Sequence, residues 1–235
     1  MSRIRRRIGP LSFEGTKDKA GGFWDRQATI VRLHNEDCDR VLVVSGRMGE
    51  IAFVYGIDWD LVVTSYIGSA QTEKFALTLT RSAVQGPDGI VTLAYPGNMR
   101  RDKGFFFLLD ALEKLSKDIA CRVRLLVAAK IWPDSPMARV DVGLIPVMWQ
   151  DNLPQVAIEM HARHIPLLTS DLGGAQELGR CPDMVFQASS TQSFTDRLRF
   201  LLDGKFDPDR YWQEAMAPIS MDAHVRQLLE VYRAV

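Results

Sequence analysis

Residues 142–177, VGLIPVMWQDNLPQVAIEMHARHIPLLTSDLGGAQE, decide the fold. VDVGLIP (140–146) reads as a short buried strand, WQDNLP (149–154) as a polar loop at its end, and QVAIEMHAR (155–163) as a helix that starts there. HIPLLTSD (164–171) reads as a second strand running into Gly173 and Gly174. This order places Asp151 at the mouth of the first strand and Glu159 on the second turn of the helix, eight positions later. Open α/β sheets take ligands at the carboxyl ends of their strands, where helix N-termini favour anions.

Downstream of residue 89 strand and helix patterns alternate. IVTLAYPG (90–97) is strand-like, GFFFLLDALEKLSKD (104–118) helical with the FFF run in its core, and RVRLLVAAK (122–130) strand-like. After the deciding stretch come strand-like DMVFQA (183–188) and helical SFTDRLRFLLDG (193–204). The alternation predicts an α/β fold with a mostly parallel, Rossmann-like sheet and right-handed crossovers. Upstream, DRVLVVSG (39–46), DLVVTSYIG (60–68) and KFALTLT (74–80) read as strands, with a short helix in RMGEIAFVYG (47–56). Gly86, Pro87 and Gly89 break the pattern in SAVQGPDG (82–89). The boundary falls there, giving an N-terminal segment 1–88 and a larger domain 89–235.

Composition narrows the function classes. With 235 residues, 46% of them hydrophobic, the chain can bury one large core or two small ones. Twenty-nine basic and twenty-nine acidic residues cancel, which argues against a nucleic-acid binder, whose phosphate-tracking surface needs a basic excess. MSRIRRRIGP (1–10) lacks the apolar centre of a signal peptide and reads as a solvated tail, with contact to an anionic membrane surface as the alternative. No apolar run reaches spanning length. Cys38, Cys121 and Cys181 are scattered and odd in number, as expected of reduced thiols in a cytoplasmic protein. Zinc-type spacing is absent; His161 and His164 lack a third ligand and suit capping of a helix C-terminus.

The stretch 142–177 resembles the donor-binding half of retaining GT-B glycosyltransferases of family 4. Their signature is a Glu-x7-Glu pair followed by a strand ending in a Gly-Gly-x-x-Glu turn; here the pair reads Asp151-x7-Glu159 and the turn ends at Glu177. VTLAYPGNMRRDKGFFFLLDALEKL (91–115) is similar to that family's strand, glycine loop, Lys-Gly and helix, and MDAHVRQLLEVYRAV (221–235) to its closing helix. The resemblance covers roughly 89–235. It implies sugar transfer from a nucleotide diphosphate sugar to a glycan or lipid-linked acceptor, as in polysaccharide biosynthesis, with no metal and no cofactor besides the donor.

By resemblance Lys103 contacts the pyrophosphate; Arg100 and Arg101 add positive charge to the same loop, which follows Gly97 and Asn98. Asp151 lies beside the donor sugar, and Glu159 accepts from the ribose hydroxyls, a task suited to an ionised, acceptor-only carboxylate. The N–H groups of Asn152 and Leu153 at the helix entrance suit phosphate oxygens. Trp149, just before the acidic loop, reads as a packing residue, with a sugar platform as the alternative. Three departures stand out: Asn98 replaces the basic residue after the glycine, His164 replaces a glycine, and only IWPDSPMAR (131–139) stands where an αβ unit normally walls the base. With residues 1–88 too few for a full acceptor domain, the resemblance implies a truncated or partner-dependent transferase. It would work as a homo-oligomer or with a protein partner, in the cytoplasm or at the inner face of the membrane. A non-catalytic binding or scaffolding subunit is the alternative.

Overall fold

The computed structural model describes residues 17–75, 86, 88–128 and 140–235. Much of 82–89 and all of the connection 131–139 lie outside them, as does the tail 1–10.

Five parallel strands form the main sheet: β3 (Val91–Pro96), β4 (Val123–Ala128), β5 (Val142–Ile145), β6 (Leu167–Ser170) and β7 (Val185–Phe186), in the order β4-β3-β5-β6-β7. The helices are α4 (Phe105–Glu113), α5 (Lys117–Ala120), α6 (Gln155–Ala162), α7 (Gln176–Gly179), α8 (Thr191–Leu202), α9 (Pro208–Glu214) and α10 (Met221–Arg233). The expected α/β, Rossmann-like parallel sheet is therefore present. Both faces are covered, which is why the central strands read as near-continuous apolar runs. Val91, Leu93, Val142, Leu144 and Leu168 face one core with Leu108, Phe194 and Leu198. Ala94, Ile145 and Leu167 face the other with Ala157, Ile158 and Met160. Each buried side chain of this size stabilises by about 1.5–3 kcal/mol, so the two-sided core dominates the fold.

A second, two-stranded sheet pairs β1 (Val41–Val43) with β2 (Val62–Thr64) in parallel, through α2 (Gly46–Val54). Ser45 caps α2, its Oγ accepting from the Met48 N–H at 3.3 Å. Helix α1 (Lys17–Asp37), unanticipated in the sequence, precedes this βαβ unit, and α3 (Gln71–Phe75) follows it. The expected strand over KFALTLT is corrected at its start, where Lys74 and Phe75 belong to α3; residues 76–80 lie outside the described ones. DLVVTSYIG keeps only three strand residues because a 3-10 turn at Trp59–Leu61 precedes them. DMVFQA shrinks to Val185–Phe186 for the same reason, a turn at Pro182–Met184. The FFF run is not all core: Phe106 is exposed, with the Arg101 guanidinium 5.2 Å from its ring centre.

The chain's last quarter returns to its first third. Ser69 donates its N–H to Ile219 O at 2.8 Å, and Thr72 Oγ1 donates to the same carbonyl at 3.0 Å. A Cβ on Gly68 would overlap the Ser220 carbonyl, so the approach requires glycine.

Candidate functional site

The strand order sets the site. From β3 the chain crosses to β4 on one side, while β5 lies on the other, so the crevice at the carboxyl ends of β3 and β5 is the topological switch point. Two loops meet there. The first runs from Gly97 to Gly104 after β3; the second runs from Pro146 to Pro154 after β5.

Local sequence makes these loops fit. Gly104 has φ +77 and no room for a Cβ, which would overlap the Pro146 carbonyl. Met148 N–H donates to Asp102 O at 2.9 Å, stitching loop to loop. Beneath them the buried Tyr95 hydroxyl donates to Asn98 O at 2.7 Å and lies 3.3 Å from Lys103 O. Burial, with the nearby Asp102 charge second, pushes that hydroxyl up to about 12, so it stays a donor.

The result is an ion pair at the switch point. Lys103 Nζ donates to Asp151 Oδ2 at 2.5 Å, and the same ammonium sits 5.3 Å from the centre of the Trp149 ring. Asp151 is buried and Lys103 about one third exposed. Trp149 is 47% exposed, which corrects its reading as a packing residue. Asp151 does not cap α6: the cap position belongs to Pro154, which supplies no side-chain bond. Among the described residues no protein group accepts from the N–H of Asn152 or Leu153. Those donors and the α6 N-terminus remain open to an anion.

The remaining candidates scatter. Glu159 lies on α6, half-buried and without a hydrogen bond or ion pair among the described residues. Arg100 is exposed and paired with Asp102 at 2.9 Å. Asn98 is exposed and contributes its carbonyl rather than its side chain. Gly97 continues the sheet, its N–H donating to Ala128 O at 3.0 Å. Thus Lys103, Asp151 and the Asn152–Leu153 amides converge, while Arg100 points its charge to its own loop.

Ser45, Gly46, Arg47 and Tyr66, which the sequence did not single out, close the site from the N-terminal side. The Glu177 carboxylate accepts from Gly46 N–H at 2.8 Å, Arg47 N–H at 2.7 Å and the Tyr66 hydroxyl at 2.6 Å. It thereby sits on the N-terminus of α2, where a negative charge is favoured. Burial, and then the bond to Glu177, push Tyr66 up to about 12. Ser45 Oγ donates to Asn152 O at 2.8 Å, and a Cβ on Gly174 would strike both groups. Arg47 Nε donates to Gln150 Oε1 at 3.0 Å; that oxygen also accepts from Gly173 N–H at 3.1 Å. Gly173, with φ +73, packs on the Asp151 backbone. The Gly-Gly-x-x-Glu spacing marked Glu177, but its partners lie more than a hundred residues away, beyond any local pattern.

His161 and His164 are placed differently from their expected capping role. His161 is 1% exposed, its Nε2–H donates to Met216 O at 2.6 Å, and its ring lies 5.1 Å from Trp212. Burial pulls it down to about 4, so it is neutral and cannot act as a cationic cap. His164 holds φ +57 where glycine would be relaxed, and stacks on the same indole at 5.1 Å. Among the described residues no three His, Cys, Asp or Glu side chains converge as metal ligands. The three cysteines are unpaired. No described helix is long and apolar enough to cross a membrane.

No family model matches the chain, and no characterised protein matches it by sequence. Solved structures do match by shape. Anabaena HepE, solved with UDP, superposes with a TM-score of 0.68 at 15% identity, covering 96% of this chain and 70% of that one. A glycosyltransferase from Rickettsia africae ESF-5 gives 0.66 at 14%, covering 88% and 66%. Sucrose-phosphate synthase from Thermosynechococcus elongatus gives 0.64 at 14%, covering 98% and 65%. The chain thus spans about two thirds of the length of these structures. At such identities the likeness is one of fold, and the fold is that of Rossmann-like GT-B glycosyltransferases.

Proposed function

We propose that the chain is a retaining glycosyltransferase of the hexosyl type, using a nucleotide diphosphate sugar as donor and a glycan or lipid-linked molecule as acceptor. The observation that carries this reading is the Lys103–Asp151 pair at the switch point, beside the unengaged Asn152 and Leu153 amides. A donor diphosphate would take Lys103 and the two amides, freeing Asp151 for the sugar hydroxyls. Glu159 would accept from the ribose. The bond from the anomeric carbon to the phosphate oxygen breaks, a bond to the acceptor oxygen forms on the same face, and the acceptor proton passes to the leaving phosphate. A fold shared with a protein solved with UDP supports the nucleotide part of this reading.

Calorimetric titration of UDP, GDP and ADP, with and without sugar, tests it. Lys103→Ala should weaken diphosphate binding about tenfold or more, the equivalent of one charged hydrogen bond. Glu159→Gln should weaken nucleotide alone, and Asp151→Asn chiefly the sugar-bearing donor. Wild-type affinity in all three variants, with the fold intact by circular dichroism, overturns the assignment.

One observation favours a second reading, a non-catalytic binding subunit. In this structure Asp151 already neutralises Lys103, leaving less net charge for a diphosphate. Donor binding without hydrolysis or transfer across an acceptor panel would select it.

A further inference from the structure

Between the βαβ unit and the carboxyl ends of β6 and β7 runs an open groove of about 990 Å3, within the range of ligand sites. Trp59 and Thr64 line one wall; Arg180, Gln187 and Arg197 line the other. The Trp59 indole is 47% exposed and braced edge-on by Phe53 at 5.9 Å. An aromatic face held rigid at a wet site offers apolar area to one side of a pyranose ring.

The polar groups of the groove are unequally committed. Its acids are engaged to different degrees: Glu50 pairs through one oxygen with Arg47 at 3.0 Å, Asp171 Oδ1 accepts from Ala188 N–H at 2.8 Å, and Glu177 holds three donors. Its cations keep donors to spare. Arg197 gives Nε to Val185 O at 2.9 Å and reaches Asp183 only at 3.4 Å. The exposed Arg180 guanidinium has no hydrogen bond or ion pair among the described residues, and its backbone is held at φ +50 where α7 ends. An unpartnered guanidinium at Arg180, with Arg197 beside it and each groove acid already holding at least one donor, favours a ligand carrying a phosphoryl or carboxylate group.

Resting on the transferase reading, we propose that this groove is the acceptor subsite and takes a saccharide bearing an anionic group. Arg47 links it to the donor side: the same residue lines the groove and reaches Gln150, the neighbour of Asp151, at 3.0 Å. An acceptor lying along Trp59 with its anion on Arg180 and Arg197 would meet the donor side across Arg47 and Gln150.

The test titrates glucose 6-phosphate, glucuronate, glucose and inorganic phosphate into the full chain, with UDP in a parallel arm. At least one anionic sugar should saturate, binding about tenfold or more tighter than glucose. Arg180→Gln should abolish that preference, Arg180→Lys should restore part of it, and Trp59→Ala should weaken sugars while sparing inorganic phosphate. The two anionic sugars tell phosphoryl from carboxylate recognition. Equal affinity for glucose and both anionic sugars overturns the proposal, as does inorganic phosphate binding as tightly as the sugar phosphate. UDP binding with no saturable sugar removes the groove assignment but leaves the transferase reading standing. Sugar binding with no nucleotide binding removes the transferase reading, and with it the acceptor role.

Discussion

Replacing Glu177 by alanine should loosen the βαβ unit from the main sheet. The side chain receives three hydrogen bonds of 2.6–2.8 Å, two from backbone amides that open α2 and one from Tyr66. Bonds to a charged group contribute about 1.5–3 kcal/mol each, but this carboxylate is only half-buried and water can reach the vacated donors, so about 1 kcal/mol per bond is the better figure. Loss of the favourable charge at the helix N-terminus adds roughly 0.5 kcal/mol. The sum, about 3.5 kcal/mol, corresponds to a fall of about 7–14 °C in Tm for a domain of this size. Glutamine keeps an acceptor oxygen and should lose about half as much. Thermal unfolding followed by circular dichroism measures the shift, and hydrogen exchange at the Gly46 and Arg47 amides locates it. A shift below about 2 °C, with unchanged protection at those amides, would refute the claim that Glu177 joins the two sheets.

Acid should act through His161. Its folded value is about 4 against 6.5 when free, so between these limits the unfolded chain carries the extra proton. Stability therefore rises with pH across that window and is lost as pH falls through it, by about 1.4 kcal/mol per unit. Urea unfolding of His161→Gln should lack this component of the slope; parallel pH profiles for wild type and variant would contradict a neutral, buried imidazole. Gly104→Ala should cost about 2 kcal/mol or more, since a Cβ meets the Pro146 carbonyl and φ is +77. Gly89→Ala, with φ +71 but open surroundings, should cost only about 1 kcal/mol, and equal losses at the two sites would deny the loop contact.

The main sheet was legible because its signals are local. β3, β5 and β6 are buried on both faces, and a strand buried on both faces must be apolar throughout, so VTLAYP, VGLI and LLTS announced themselves. The Asp151 loop and Lys103 were legible as types, a carboxylate and an ammonium at strand ends; their direct pairing was not, because forty-eight residues separate them. Trp149 was misjudged since a tryptophan beside an apolar strand is usually core, whereas here the loop turns it outward over the Lys103 ammonium. The N-terminal half was the least readable. β1 and β2 have three residues each, and α1 is polar enough to look like chain without structure. Arg47, Tyr66 and Ser45 gave no signal because their roles lie in partners supplied by distant segments.

The contacts that hold the βαβ unit carry a consequence for how the chain is made. Thr72 waits for Ile219, 147 positions later, and Gly46 waits for Glu177, 131 positions later. Made before the main sheet, residues 41–64 have two short strands and little core of their own, so they must remain unsettled until residues 177–220 are synthesised. Closing such long loops is slow and leaves apolar surface open to wrong partners meanwhile. The βαβ unit is made before the main sheet but completed after it, and conditions that stall synthesis before residue 219 should leave the unit exposed to proteases while the five-stranded sheet is already sealed.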